Sequence, residues 1–308
     1  MSDYLISARK YRPKSFNEVV GQEVITSTLE NAVKNKQLSQ ALLFTGPRGV
    51  GKTSCARILA KMINADKITS ESDYSFNIFE LDAASNNGVD GIRNLTDQIR
   101  IPPQIGNFKV YIIDEVHMLS SSAFNAFLKT LEEPPRHCVF ILATTEKHKI
   151  IPTILSRCQI YDFKRISVDD ISSYLINISK HEKVKYEENA IQFIAKKADG
   201  SMRDALQIYD RILSSKNNEV SIANVMESLN ILDNQVYFEL LHLIINNEIP
   251  KLLVLTNSIL ARGIQGDILI SGLGSFFRDL LVSKDSKSIA LFDSDEETKL
   301  QFKKASSK

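Results

Sequence analysis

Four apolar residues, Ala41 to Phe44, are followed one position later by Gly46-Pro47-Arg48-Gly49-Val50-Gly51-Lys52-Thr53, which opens a helical pattern running from Thr53 to Ile63. A strand leading through a glycine-rich loop into a helix permits few folds, because the strand must lie inside a sheet and the helix must pack back across it. The spacing G-x-x-x-x-G-K-[ST] adds chemistry to that topology. Glycines let successive backbone N–H groups turn inward, and the first turn of a helix carries partial positive charge, so the loop is a cradle for β- and γ-phosphates. Lys52 supplies a point charge on those phosphates, and the Thr53 hydroxyl suits Mg²⁺. The phosphate-binding candidates are Gly46, Pro47, Arg48, Gly49, Val50, Gly51, Lys52, Thr53 and Ser54.

Further short apolar runs at Phe76 to Leu81, Lys109 to Ile113 and Cys138 to Ala143 read as buried strands. Helical patterns at Val89 to Ile101 and Ser122 to Glu133 lie between them, the second stopped by Pro134 and Pro135. Strands alternating with helices predict an α/β unit with a parallel sheet flanked by helices. Beyond Lys164 the strand signals end, which places a boundary there. Ser167 with Asp170 resembles a capping box, and helices are expected over the following stripe to Ile178 and over Glu187 to Ala198, Ser201 to Leu213 and Ser221 to Leu229. The expected division is therefore 1–164, a small helical domain over 165–230, and a third helical region over 231–308, with patterns at Tyr237 to Ile245, Ile249 to Arg262 and Asp267 to Val282. The polar end DSDEETKLQFKKASSK reads either as a frayed tail or as part of that third region.

Composition narrows the classes. The chain has 308 residues, about two average domains, and 38 Lys plus Arg against 37 Asp plus Glu, a formal charge of +1. No global field draws it to nucleic acid or an anionic membrane, so any such contact needs a local patch. Three cysteines without a CxxC pair exclude a disulfide scaffold and a cysteine-rich zinc module, and fit a reducing cytosol. With neither an apolar h-region at the start nor a membrane-length apolar stretch, the expected location is cytoplasmic.

Strand burial accounts for Val110 to Ile113 but not for Asp114 and Glu115 at the tip, where like charges are costly unless a cation offsets them. Mg²⁺ bound by Thr53 and Asp114 would do so, leaving Glu115 to polarise an attacking water. Thr145, at the tip of the strand ending Ala143-Thr144, could hydrogen-bond the γ-phosphate or that water. Arg157 follows the apolar turn Ile150 to Leu155 without an evident partner and could serve a neighbouring subunit's nucleotide. Arg203, in a helix's first turn where the dipole disfavours a cation, fits either a phosphate or a surface pair with Asp204 or Asp199. The five histidines have no metal-ligand spacing and read as surface or helix-packing residues.

Taken together, ARKYRP (Ala8 to Pro13), VVGQE (Val19 to Glu23), the loop itself, ELDAASN (Glu80 to Asn86), VYIIDEVHML (Val110 to Leu119), FNAFLKTLEEPP (Phe124 to Pro135), ILATTE (Ile141 to Glu146), ILSRC (Ile154 to Cys158) and GSMRDAL (Gly200 to Leu206) closely resemble the gamma/tau subunits of the bacterial DNA polymerase III clamp loader, AAA+ ATPases. The resemblance implies Walker A at Gly46 to Thr53, Walker B at Asp114 and Glu115, sensor 1 at Thr145, a trans-acting arginine finger at Arg157 and sensor 2 at Arg203. Tyr11, Arg12, Pro13, Val19 and Val20 fall where the family packs its adenine. It also implies a helical lid, a helical collar that would continue past Lys308, a hetero-pentamer, and ATP-driven loading of a sliding clamp onto primed DNA. DNA contact would be to phosphates, with Arg93 and Arg100 as candidates. Family members commonly carry four zinc-binding cysteines ahead of the ELDAAS strand; Asn64 to Ser75 has none, so no zinc is expected.

Three other readings compete. A non-hydrolysing scaffold subunit has no reason to keep Lys52, Thr53, Glu115 and Thr145 together. Another AAA+ motor, such as a branch-migration helicase, would want a winged module, and no strand-turn signal follows residue 220. A small-molecule kinase has no use for Arg157 or Arg203. No carboxylate triad for polymerase chemistry is visible, so a DNA-directed DNA polymerase label would be inherited from the complex.

Overall fold

The computed structural model describes residues 6–68, 73–215, 219–229, 232, 234–261, 263–284 and 296–306. Its sheet is built from β1 (Ala41–Thr45), β2 (Ile78–Asp82), β3 (Lys109–Asp114), β4 (Cys138–Thr144) and β5 (Gln159–Asp162), all parallel and ordered β2-β3-β4-β1-β5. The glycine-rich loop therefore leaves a strand with neighbours on both sides. Successive residues of a strand point to opposite faces, and here both faces are covered. Leu43, Tyr111, Ile113, Phe140 and Leu142 pack against α3 (Val89–Ile99) and α4 (Ser121–Glu132). Leu42, Phe44, Val110, Ile112 and Ile141 pack against α1 (Glu23–Lys34) and α2 (Lys52–Met62).

Two of the sequence expectations shift. Phe76, which the apolar run places in a strand, closes a 3-10 turn, Asp73–Phe76, and is exposed; pairing starts at Ile78. The edge strand β5 was not anticipated, because of Gln-Ile-Tyr-Asp only Tyr161 is buried and there is no apolar run to read. Buried amides hold the entry to β3. Asn64 Oδ1 accepts from the N–H groups of Asn107 and Phe108, both at 3.0 Å, and its Nδ2 donates to the Phe108 carbonyl at 3.0 Å. Asn77 Nδ2 donates to the carbonyls of Ile105 and Phe108 at 2.7 and 2.9 Å.

Three helices follow, α5 (Val168–Glu182), α6 (Glu188–Lys197) and α7 (Met202–Ser215). Ser167 caps α5 by accepting from the Asp170 N–H at 3.1 Å, and its hydroxyl donates to the Asp170 carboxylate at 2.6 Å. The strand signals do not end at Lys164 after all: Lys185–Tyr186 and Glu219–Val220 form a short parallel pair. Chain contacts divide the molecule into two compact units, Met1–Ser221 and Ile222–Lys308. The sheet and the three helices thus belong to one unit, tied by Gln22, whose Nε2 donates to the Lys164 carbonyl at 2.7 Å while its Oε1 accepts from the Lys164 N–H at 3.3 Å.

The second unit contains helices at Ile222–Ser228, Asn234–Ile245, Ile249–Ala261, Gly266–Lys284 and Glu296–Ser306. Phe276 is packed by Tyr237, Phe238 and Phe302. Phe302 is 1% exposed, so residues 296–306 of the polar end are helical and anchored rather than a frayed tail; residues 293–295, 307 and 308, to which that expectation also extends, lie outside the described residues. No described helix is long and apolar enough to cross a membrane.

Replacing Asn64 by Leu leaves the N–H groups of Asn107 and Phe108 without their acceptor, each costing roughly 1 kcal/mol or more, while the Phe108 carbonyl keeps Asn77. The expected loss, about 2 kcal/mol, is read from urea unfolding of the first unit. A loss below about 1 kcal/mol contradicts the role given to that amide.

Candidate active site

Gly49 has φ +77° and Gly51, at the N-cap of α2, has φ +104°, conformations glycine adopts at little cost. Around them lies a cleft of about 1090 Å³, lined by residues of the loop, the tips of β2, β3 and β4, the segment Ile6 to Val20, and α7. Among the described residues, no protein acceptor pairs with the backbone N–H groups of 48–54. The loop thus presents a row of unspent donors at a helix N-terminus, which fits an anionic group.

Lys52 is buried, and its ammonium donates to the carbonyls of Gly46 and Pro47, both at 2.7 Å. Burial pulls it below the ordinary lysine value, against the pull of Glu115 and Asp114, which favour its charge. Thr53 Oγ1 donates to Asp114 Oδ2 at 2.8 Å, so the hydroxyl and carboxylate oxygens that would share a divalent ion already lie together. Among the described residues there is no cluster of three or more His, Cys, Asp or Glu able to hold a metal; the donor set at Thr53 and Asp114 suits an ion that takes its remaining oxygens from water and phosphate.

Glu115 occupies the left-handed region at φ +46°, a costly backbone state of the kind that functional sites retain. Thr145 Oγ1 donates to its Oε2 at 3.1 Å. Among the described residues no partner contacts Oε1, and that oxygen is left for a water. His117, read from sequence as a surface or packing residue, instead lines this cleft, with Nδ1 3.4 Å from Glu115 Oε2. Sequence reasoning also passed over Asp82, at the tip of β2 beside Asp114.

At the other end, Tyr11, Arg12, Val19 and Val20 line the cleft with Ile166, Tyr174 and Leu206. The Tyr11 hydroxyl donates to Glu182 of α5; burial first and that contact second push the phenol well above its ordinary value, keeping it a neutral donor. Arg203 lines the cleft too. Its guanidinium has no partner among the described residues, whereas Asp199 pairs with Arg165. Its backbone N–H donates to the Gly49 carbonyl at 3.4 Å, docking the start of α7 on the loop.

Arg157 lies outside the cleft. It is not without a partner, as the sequence suggested: Nη2 donates to Glu132 Oε1 at 2.8 Å and Nη1 to the Thr153 carbonyl at 2.7 Å. Arg93 is in α3, with its side chain outside the described residues; Arg100 is exposed at the helix end and does not line the cleft. Burial pushes the thiol of Cys55 up to about 12 and those of Cys138 and Cys158 up to about 11, so all three stay protonated and are poor nucleophiles.

The family model described as DNA polymerase III, delta subunit matches residues 21–167, and that described as DNA polymerase III clamp loader subunit, ATPase lid domain matches residues 170–215. The chain is 42% identical over 294 residues to DNA polymerase III subunit tau of Bacillus subtilis, which covers 91% of this chain and 52% of that protein. Against the Escherichia coli subunit tau the identity is 40% over 293 residues, covering 91% and 46%. Against subunit gamma of Buchnera aphidicola subsp. Schizaphis graminum it is 37% over 300 residues, covering 93% and 83%. The chain spans about half the length of the first two of these relatives. Among solved structures, the Thermotoga maritima RuvB Holliday junction branch migration motor superposes with TM-score 0.56 at 22% identity, covering 84% of this chain and 87% of that one, a likeness of fold.

A Cβ on Gly49 would lie 2.0 Å from Ser201 Oγ. Gly49→Ala is expected to destabilise by more than the roughly 1–2 kcal/mol of a left-handed alanine, with Ser201→Ala in the same chain returning part of the loss. Strictly additive effects in thermal unfolding contradict the close approach.

Proposed function

The chain belongs to the DNA polymerase III gamma/tau clamp-loader family, and on that premise we propose that it is an AAA+ ATPase subunit that loads a sliding clamp onto primed DNA. The single observation carrying the hydrolytic reading is Glu115: its carboxylate is fixed by Thr145 on one oxygen, has its other oxygen unpartnered among the described residues, and lies beside the Thr53–Asp114 pair. A scaffold that turned nothing over would gain nothing from that arrangement.

The loop's N–H groups and Lys52 take the β- and γ-phosphates of ATP. Thr53 and Asp114 would hold Mg²⁺, which, when bound, neutralises phosphate charge. Glu115 orients a water in line with the γ-phosphate and accepts its proton as the bond to phosphorus forms. Tyr11, Arg12, Val19 and Val20 enclose the adenine, and Arg203 reports the γ-phosphate to α7. Arg157 acts on a neighbouring subunit's nucleotide. Its pair with Glu132 is partly solvent-exposed and of a kind worth roughly 0–1 kcal/mol, so an assembling neighbour can draw the guanidinium away cheaply. The partners of this reading are the other subunits of a hetero-pentamer, the clamp, and primer-template DNA held through phosphates, with Arg93 and Arg100 as candidate contacts. It works in the cytoplasm and needs no zinc.

The test is ATP turnover by this chain alone and then with partner subunits, clamp and primed DNA. The chain alone is expected to be slow and the assembly fast. Glu115→Gln should keep nucleotide binding and lose on the order of 10²-fold or more in turnover. Arg157→Ala should bind ATP normally while turnover in the assembly falls on the order of 10³-fold. A rate indifferent to every partner favours the scaffold reading, and unchanged turnover in the Arg157 variant's assembly contradicts the finger.

A further inference from the structure

The imidazole of His117 is 94% buried on its side chain's scale, being 6% exposed, and stands between two carboxylates on different parts of the chain. Its Nδ1 is 3.0 Å from Thr144 Oγ1 and 3.4 Å from Glu115 Oε2; its Nε2 is 3.3 Å from Glu146 Oε1. Thr144 Oγ1 already accepts the Glu146 N–H at 3.0 Å, which leaves the Thr144 proton to donate to Nδ1. An Nε2–H then donates to Glu146. With Thr144 donating to Nδ1, Nε2–H is the tautomer that bonds Glu146, and Glu115 Oε2 is then a packing neighbour of Nδ1 rather than its hydrogen-bond partner. Glu146 also pairs with Lys149 at 2.9 Å and lies 3.5 Å from His148.

We propose that His117 is the positioning residue for the hydrolytic step, tying the tip of β3, where Glu115 sits, to the tip of β4, where Thr144 and Thr145 sit. Glu115 sits in a strained backbone state, and among the described residues Thr145 is the hydrogen-bond donor to its carboxylate, on one oxygen. A side chain flanking that same oxygen, and anchored on the neighbouring strand tip, limits where the carboxylate can swing. The threonine that bonds Glu115 directly follows the threonine that bonds His117 in the chain, so the imidazole is hydrogen-bonded next to the carboxylate's holder and packs against the carboxylate itself. His117 does not touch the reacting atoms; it acts through Glu115 and Thr145. This inference rests on the ATPase reading and sharpens it.

The experiment measures steady-state ATP turnover and binding of a fluorescent ATP analogue for the assembled complex containing wild-type chain, His117→Ala, His117→Asn and His117→Gln. The expected result is a kcat lower in His117→Ala by on the order of ten- to hundredfold, as for a misplaced catalytic group, with analogue affinity within twofold of wild type. His117→Asn, whose amide reaches the Nδ1 position, should recover part of kcat, and His117→Gln, which reaches toward Glu146, should recover less. An unchanged kcat in His117→Ala, or a loss of kcat matched by lost affinity and unrelieved by Asn, overturns the proposal. If wild type itself turns nothing over, the ATPase reading fails separately. The ¹⁵N spectrum of the His117 imidazole in the chain then still decides: an Nε2–H pattern that moves in both Glu115→Gln and Glu146→Gln supports the tie, and one indifferent to both overturns it.

Discussion

A buried ammonium supported by two main-chain carbonyls is the condition on which the first unit's function rests. Lys52 reaches Gly46 and Pro47 across the turn of its own loop, and so holds the loop curled while keeping part of its charge for a ligand. Removing an ammonium from water is expensive. The surroundings offset this only partly, with neutral acceptors in contact and Asp114 and Glu115 at longer range. A bound polyphosphate would offset the rest.

The same loop joins the sheet to the helices beyond it. Gly49 accepts from the start of α7, and no side chain could occupy its position without striking Ser201. Together with the Gln22 clamp on Lys164 and the contacts of Lys10 and Tyr11 with Glu182, this makes the phosphate loop, the segment Ile6 to Val20 and the three helices a single mechanical assembly. The start of α7 is thereby tied to the phosphate loop through backbone.

What could be read in the sequence follows from how local the chemistry is. The phosphate loop, Asp114 and Glu115 stand out in the sequence because each lies at the end of an apolar strand where burial cannot account for it, whereas Thr145, a residue type common in strands, is singled out by the family resemblance. Arg203 left two readings open, and the pairing of Asp199 with Arg165 removes one of the surface partners considered for it. His117 could not be recognised, since its partners Thr144 and Glu146 are more than two dozen positions away and no motif announces a histidine that bridges two strand tips. The edge strand β5 was hidden for a different reason: with one face open, it needs few apolar residues. Arg157 shows no evident partner in the sequence because Glu132 approaches it only through the tertiary fold.

On the proposed reading, the loop and the tip of β3 hold a nucleoside triphosphate together with a divalent cation. Calorimetric titration of ATP into the chain, with and without Mg²⁺, tests it most directly, using Lys52→Ala as the control. A single saturable site that Mg²⁺ strengthens and Lys52→Ala abolishes is the predicted outcome. No heat of binding to a folded wild-type chain, or equal binding by wild type and Lys52→Ala, contradicts the account.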